Sequence, residues 1–281
     1  MGSSPPKTKD SLLVKKASGK TEAFSREKLE RSLRMTGASE KLVQRVIDRV
    51  GRQAGPGVTS RKLHQIAFQL LRKEARYLAA RYSLKRAVMS LGPSGYPFEK
   101  FIGALFQKQG FQTEVGVILE GACVTHEVDV VALKGKLRRL VECKYHNREG
   151  IKCDVKVPLY VYARSLDLQN NSPEQYDHEF WLVTNTKFTS DAVKYGTCVG
   201  LKLLSWDFPE GNSLKNQIER EEIHPITCLT SLTKHQKNQL LEQNVVLCHE
   251  ISNNPDRLRK IGMKERQINR VVKEVTELIQ Y

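Results

Sequence analysis

The 281-residue chain predicts an α/β protein of the mixed α+β kind. Its parts in order are a β-hairpin with helices, a mixed sheet flanked by helices, and a helical C-terminal region. Three observations carry that expectation. Hydrophobic spacing changes from a helical to an alternating period and back along the chain. Two apolar strands around residues 126–146 are joined by a tight Gly135-Lys136 loop. A Gly92-Pro93-Ser94-Gly95 run divides two stretches of very different charge. Residues 1–95 hold 21 Lys/Arg against 7 Asp/Glu, a net of +14, whereas residues 96–281 hold 25 against 24, a net of +1. The total of +15, with a pI near 9.6, points to an anionic partner, nucleic acid or nucleotide.

In chain order, "MGSSPPKTKD" (1–10) reads as a tail. "SLLVKKASGKTEAF" reads as a short hairpin turning at Ser18-Gly19, followed by Ser25 as the cap of a helix through about Met35. Apolar residues at 42, 43, 46, 47 and 50, and at 63, 66, 67, 70 and 71, trace two helical stripes, with Ser39 and Thr59 or Ser60 as caps. A further helix carries "YLAARYSLKRAVMSLG". Residues 92–95 are the expected linker and boundary between a first domain over 11–91 and a second over 96–210. "YPFEKFIGALFQKQGF" places Phe98, Phe101, Ile102, Leu105 and Phe106 at helical spacing, with Glu99 near the helix start. Residues 211–281 read as helices. No apolar run approaches the length of a membrane span and no secretory leader is visible, so no membrane partner and a cytoplasmic location are expected. The six cysteines show no paired CxxC spacing and read as reduced.

"HEVDVVALKGKLRRLVECKYH" (126–146) sets Asp129, Glu142 and Lys144 among valines and leucines. Burying an ionised carboxylate costs several kcal/mol (order of magnitude) unless a partner or a metal compensates. A Gly135-Lys136 loop suits a type II′ turn, which fixes the register. If Lys134 faces Leu137, then Asp129 lies opposite Glu142, and Glu127 opposite Lys144. Alternation puts Asp129, Glu142 and Lys144 on one side of the sheet. Opposed carboxylates repel, and a hard divalent cation converts that repulsion into a ligand set. Lys144 would then orient an attacking water or neutralise developing charge in phosphodiester hydrolysis. The competing reading is a surface hairpin whose acids pair with Lys136, Arg138 or Arg139.

Asp129 followed by Glu142-Cys143-Lys144 resembles the D…ExK signature of the PD-(D/E)xK nucleases, with Val128 at the position of the proline. "HEVDVVAL", "VECKYHN" and "FWLVTNTKFTSDAVKYG…GLKLLSWDFP" together resemble the Mrr-like (type IV) restriction endonucleases over about 110 residues. That resemblance implies a restriction-endonuclease-like mixed sheet, metal held by Asp129 and Glu142 (Mg²⁺ or Mn²⁺), a catalytic Lys144, and Glu99 as the helix acid. It also implies DNA contacts by Asn185 and Lys187 in the loop after the strand at 180–183. A helix-capping role is the simpler reading for Thr189.

"LLVKKASGKTEAFSREKL" with "YLAARYSLKRAV" resembles the ATP-cone, a nucleotide-sensing domain, over roughly residues 10–90. The resemblance implies an ATP or dATP pocket lined by Val14, Lys16, Glu22, Lys28 and Thr59, with Lys16 and Lys28 on phosphates. Ala17 stands where many cones carry arginine. The C-terminal stretch resembles a helix-hairpin-helix region, with Gln243-Asn244 where that motif has glycines. The expectation is a Mg²⁺-dependent endodeoxyribonuclease, homo-oligomeric and answering to adenine nucleotide. The alternative is a non-catalytic, nucleotide-responsive DNA-binding regulator.

Overall fold

The computed structural model describes residues 13–15, 21–53, 58–171 and 176–280. The architecture is mixed α+β, in two compact units that divide between Ser83 and Leu84.

In the first unit, β1 (Leu13–Lys15) and β2 (Thr21–Ala23) pair antiparallel, with Val14 opposite Glu22. The expected Ser18-Gly19 turn lies outside the described residues. Helix α1 (Arg26–Arg34) starts at Ser25, whose hydroxyl accepts the Lys28 N–H at 3.1 Å. Helices α2 (Glu40–Gln53) and α3 (Ser60–Glu74) follow, the latter capped by Thr59, which accepts the Lys62 N–H at 3.2 Å. The two apolar stripes form the core. Leu33, Val46, Val50, Ala67 and Leu71 are fully buried in it, each larger side chain contributing about 1.5–3 kcal/mol. The single helix expected over 77–92 is instead broken after α4 (Arg76–Tyr82). The Ser83 hydroxyl donates to the Ala80 carbonyl at 3.1 Å, and its backbone N–H is shared between Ala79 and Ala80. Such local bonds compete with continued helix.

The second unit begins with α5 (Leu84–Val88), so residues 92–95 lie inside it and not at its edge. Side-chain hydroxyls decide this. Thr227 donates to the Ala87 carbonyl and Tyr145 to the Met89 carbonyl, each at 2.7 Å, while Val88 and Leu91 are fully buried. After α6 (Tyr96–Lys108) come β3 (Gln112–Glu120), β4 (Thr125–Lys134) and β5 (Leu137–Lys144) as an antiparallel meander. A small parallel pair, β6 (Lys152–Cys153) with β8 (Lys187–Phe188), lies beside the main sheet. Helix α7 (Lys156–Asn170) leads to β7 (Asp177–Thr184), and α8 (Ser190–Cys198) leads to β9 (Lys202–Leu204). These crossover helices allow β5, β7 and β9 to run parallel, giving the order β3-β4-β5-β7-β9.

Phe98, Phe101, Ile102, Leu105 and Phe106 are all fully buried, so the α6 stripe is the face laid on the sheet. Along β5, Arg139 stacks over Phe106 of α6, whereas Leu140 packs with Leu168 of α7. Successive strand residues point to opposite faces, so α6 and α7 sandwich the sheet. The C-terminal helices are α9 (Leu214–Arg220), α10 (Lys234–Glu242), α11 (Cys248–Asn253), α12 (Asp256–Lys260) and α13 (Glu265–Gln280). Asn244 takes a left-handed φ of 59° between α10 and α11, the conformation for which Asn is the usual substitute for glycine. Glu274, only 1% exposed, accepts the N–H groups of Thr230 and Ser231 at 2.6 and 2.8 Å, tying α13 to the segment before α10. No helix among the described residues is long and apolar enough to cross a membrane.

Candidate active site

The β4–β5 turn sets the site. Gly135 has φ of 60°, as the first central position of a type II′ turn requires, and Lys134 pairs with Leu137. From there the ladder runs back only as far as Val130 opposite Val141. On the β3 side, pairing passes from Val115–Val130 to Val117–Val128 and skips the residue between, Gly116, whose φ is 69°. Asp129 therefore sits where the ladder is interrupted on both sides. The strict backbone pairing of Asp129 with Glu142 expected from the turn is not formed. In its place the Asp129 carboxylate itself accepts the Cys143 N–H at 2.6 Å, in effect replacing a backbone acceptor.

Glu142 lies one residue before that N–H, on a strand that continues parallel to β7 as far as Lys144 opposite Thr184. Burial raises the proton affinity of Glu142 above its ordinary range, and the neighbouring Asp129 charge adds to it; Arg164 and Lys144 pull the other way. Asp129 is raised by burial too, against the Cys143 N–H, Arg164 and Lys144. Glu99, half-buried at the start of α6, is pushed up to about 7, first by burial and then by Asp129, Glu127 and Glu142. The helix acid is thus within electrostatic reach of the pair although it comes from another element. Lys144 is exposed, and its charge favours ionisation of both Asp129 and Glu142.

Arg164 was not anticipated. It projects from α7 and forms an ion pair with Glu142, with both side chains largely buried. Its second arm donates to the Glu127 carbonyl, its Nε lies 3.4 Å from His126 Nδ1, and its guanidinium sits 5.4 Å from the centre of the Tyr160 ring. His126 Nε2 in turn lies 2.7 Å from Asp167. The available signal was the pair Arg164 and Asp167 at i, i+3 on a helix whose other inward residues are Val161, Ser165 and Leu168. Sequence spacing alone does not show that such a pair meets a strand 22 residues away.

The two expected DNA contacts are placed differently. Asn185 is fully buried; its amide accepts from the His146 N–H at 2.9 Å and donates to the His146 carbonyl at 2.8 Å. Both ends of the side chain hold the exits of β5 and β7 together. Lys187 is exposed and paired with Asp207. Thr189 caps α8, accepting the Ala192 N–H at 3.2 Å.

In the first unit, Val14 is buried and lies opposite the exposed Glu22, and Thr59 bridges to Lys15 on the same short strand. Lys28 is exposed on α1. Lys16 lies outside the described residues. Three of the five expected nucleotide contacts, Val14, Glu22 and Thr59, are therefore gathered around β1.

All six cysteines are unpaired. Among the described residues, no three His, Cys, Asp or Glu side chains close into a preformed metal cage. The donor set at Asp129 and Glu142 is two hard, largely buried carboxylates whose proton affinities are both raised, that of Glu142 partly by Asp129, which fits an oxygen-loving divalent cation retaining several waters. Asp129 and Glu142 would hold it, with Glu99 nearby.

The C-terminal residues 224–279 match the family model described as AF1548-like, C-terminal. A curated relative from Archaeoglobus fulgidus, described as an uncharacterized protein, is 35% identical over 176 residues, covering 62% of this chain and 98% of the relative. Among solved structures, the crystal structure of the protein of unknown function AF1548 superposes with a TM-score of 0.56 at 32% identity, covering 66% of this chain and 99% of that one. Can2 from Sulfobacillus thermosulfidooxidans, solved with cyclic tetra-adenylate, reaches a TM-score of 0.33 at 10% identity over 72% of this chain and 63% of that one, too little to bear on function.

Proposed function

We propose that this chain, which belongs to the AF1548-like family, is a metal-dependent endodeoxyribonuclease of the Mrr-like, PD-(D/E)xK kind whose first unit senses adenine nucleotide. The observation that carries the nuclease reading is the gathering of Asp129, Glu142, Glu99 and Lys144 where the β4 ladder opens. Three acids from three elements, α6, β4 and β5, stand there with raised proton affinity beside one exposed lysine. A purely structural sheet has no use for that arrangement, because it leaves the sheet weaker where the ladder breaks and adds mutual repulsion.

A bound Mg²⁺ or Mn²⁺ would supply Lewis-acid stabilisation of charge on phosphoryl oxygens. The chain's own residues do the rest. Asp129, anchored through the Cys143 N–H, keeps one carboxylate oxygen fixed and the other available. Lys144, exposed on the same stretch, holds or delivers a proton near the scissile phosphate and offsets the charge that develops there. The near-neutral second unit gains its attraction for DNA locally, from exposed side chains such as Lys260, Lys264 and Arg266 on and beside α12 and α13.

The test is cleavage of supercoiled plasmid with Mg²⁺ or Mn²⁺, with Asp129→Asn as the control. Equal cleavage by both proteins removes the site. The sensor reading rests on the charge of the first unit and the clustering of Val14, Glu22 and Thr59 around β1. ATP at about 100 times its dissociation constant would add roughly 2.7 kcal/mol of stability to a domain that binds it only when folded. Calorimetry of the full chain with ATP and dATP tests this. No binding heat at millimolar nucleotide, together with tight salt-sensitive DNA binding, would favour the second reading, a regulator that grips DNA without cutting it.

A further inference from the structure

We propose that Arg164 is the resident counter-cation of the acidic pair: it neutralises Glu142 when no metal is bound, so a divalent cation enters the site in competition with its guanidinium. This rests on the reading of Asp129 and Glu142 as metal ligands and adds a regulation of that site.

The geometry is that of a placed group. Arg164 and Glu142 side chains are 15% and 24% exposed, so their pairing takes place largely out of water, where attraction between charges is strong. The rest of the guanidinium is also committed, to the Glu127 carbonyl, to His126 and to the face of Tyr160. The His126 contact has a direction. The Asp167 carboxylate accepts three donors, the Cys123 N–H at 2.8 Å, the Val124 N–H at 3.3 Å and His126 Nε2 at 2.7 Å. With Nε2–H donated to Asp167, the lone pair on Nδ1 faces the Arg164 Nε–H. The imidazole therefore steers the guanidinium toward Glu142 and Glu127.

A guanidinium keeps its charge at all working pH values, so it cannot relieve a clash with an incoming cation by losing a proton. It also occupies Oε2 of Glu142, one of the two oxygens open to a metal. A cation at Asp129 and Glu142 therefore competes with the arm on Glu142, while the contacts to Glu127 and Tyr160 keep the guanidinium near, where a phosphate oxygen is its natural next acceptor. In this way the empty site avoids two bare carboxylates, at a cost in metal affinity.

The test is Mn²⁺ titration of the full chain by calorimetry, with free Mn²⁺ followed by electron paramagnetic resonance. The variants are Arg164→Met, which keeps the apolar stem, and Arg164→Lys, which keeps a charge but loses the fork. Circular dichroism checks folding. Arg164→Met is expected to bind Mn²⁺ about tenfold tighter or more, the low end of couplings between close charge pairs, and Arg164→Lys to fall between it and the wild type. Glu142→Gln should abolish the gain. Should Arg164→Met fail to fold, tighter binding by Arg164→Lys supports the proposal and equal binding overturns it. Binding by Arg164→Met that is equal to or weaker than wild type, with Asp129→Asn and Glu142→Gln both losing Mn²⁺, overturns the counter-cation and leaves the metal site standing. Absence of Mn²⁺ binding by every form overturns both.

Discussion

Two carboxylate centres flank Arg164, and the surrounding sheet treats them in opposite ways. At the β3–β4 turn, Asp167 accepts two backbone N–H groups and a ring N–H, and its proton affinity is held down to about 2, chiefly by His126. Where the ladder opens, Asp129 has a single N–H donor and Glu142 a single arginine, and burial leaves both raised, with the Glu127 charge adding at Asp129 and the Asp129 charge adding at Glu142. A carboxylate surrounded by fixed donors is a fastener. One that is short of donors and next to another is a place for a cation. The contrast separates the two roles using the same chemical group, on either side of one arginine of α7.

The largest effect that tests this contrast is on cleavage. Asp129→Asn or Glu142→Gln should reduce plasmid cleavage by more than about 100-fold, the upper end of what losing an outer partner causes, while the fold persists. Asp167→Asn should reverse the pattern, lowering the melting temperature without weakening Mn²⁺ binding. Similar behaviour of all three variants would erase the distinction.

Lys144→Ala comes next. Turnover should drop by about 100-fold, within the usual range for a positioned proton-transfer group, with Mn²⁺ affinity intact. If only DNA affinity falls, and its salt slope with it, Lys144 is a phosphate contact.

The smallest effect is on stability against pH. The folded-state pKa of Glu99 is raised from 4.5 to about 7, so between those values the folded chain holds a proton that the unfolded chain has released. Stability of metal-free protein should accordingly fall as pH rises through that window, and Glu99→Gln should flatten the fall. Asp167 has the opposite sign. Its contribution is complete above its ordinary 3.8 and is lost as pH drops through about 2. Melting curves in chelator from pH 2 to 8, on wild type and both variants, resolve the two limbs.

Much of this was legible in the chain. Alternation and the Gly135 turn determined the β4–β5 hairpin and its register near Lys134–Leu137, because a positive φ and a two-residue loop leave little freedom. The α6 stripe, the caps at Ser25 and Thr59 and the two buried stripes of the first unit follow from local spacing and local hydrogen bonds. What depended on distant partners was not legible. The division after Ser83 is decided by hydroxyls at Tyr145 and Thr227, far along the chain. Asn185 reads as a polar loop residue until the His146 backbone is brought against it.

The acidic pair shows the same limit most clearly. Sequence alone determined that Asp129 and Glu142 lie on adjacent strands near one another, since strand order and turn type are local. Only the tertiary structure decided what compensates them. The ladder opens at Gly116, Asp129 turns onto the Cys143 N–H, and α7 returns across the sheet to set Arg164 against Glu142. A charge is neutralised through space, and the partner that does so is chosen by how the helix packs and not by its place in the chain.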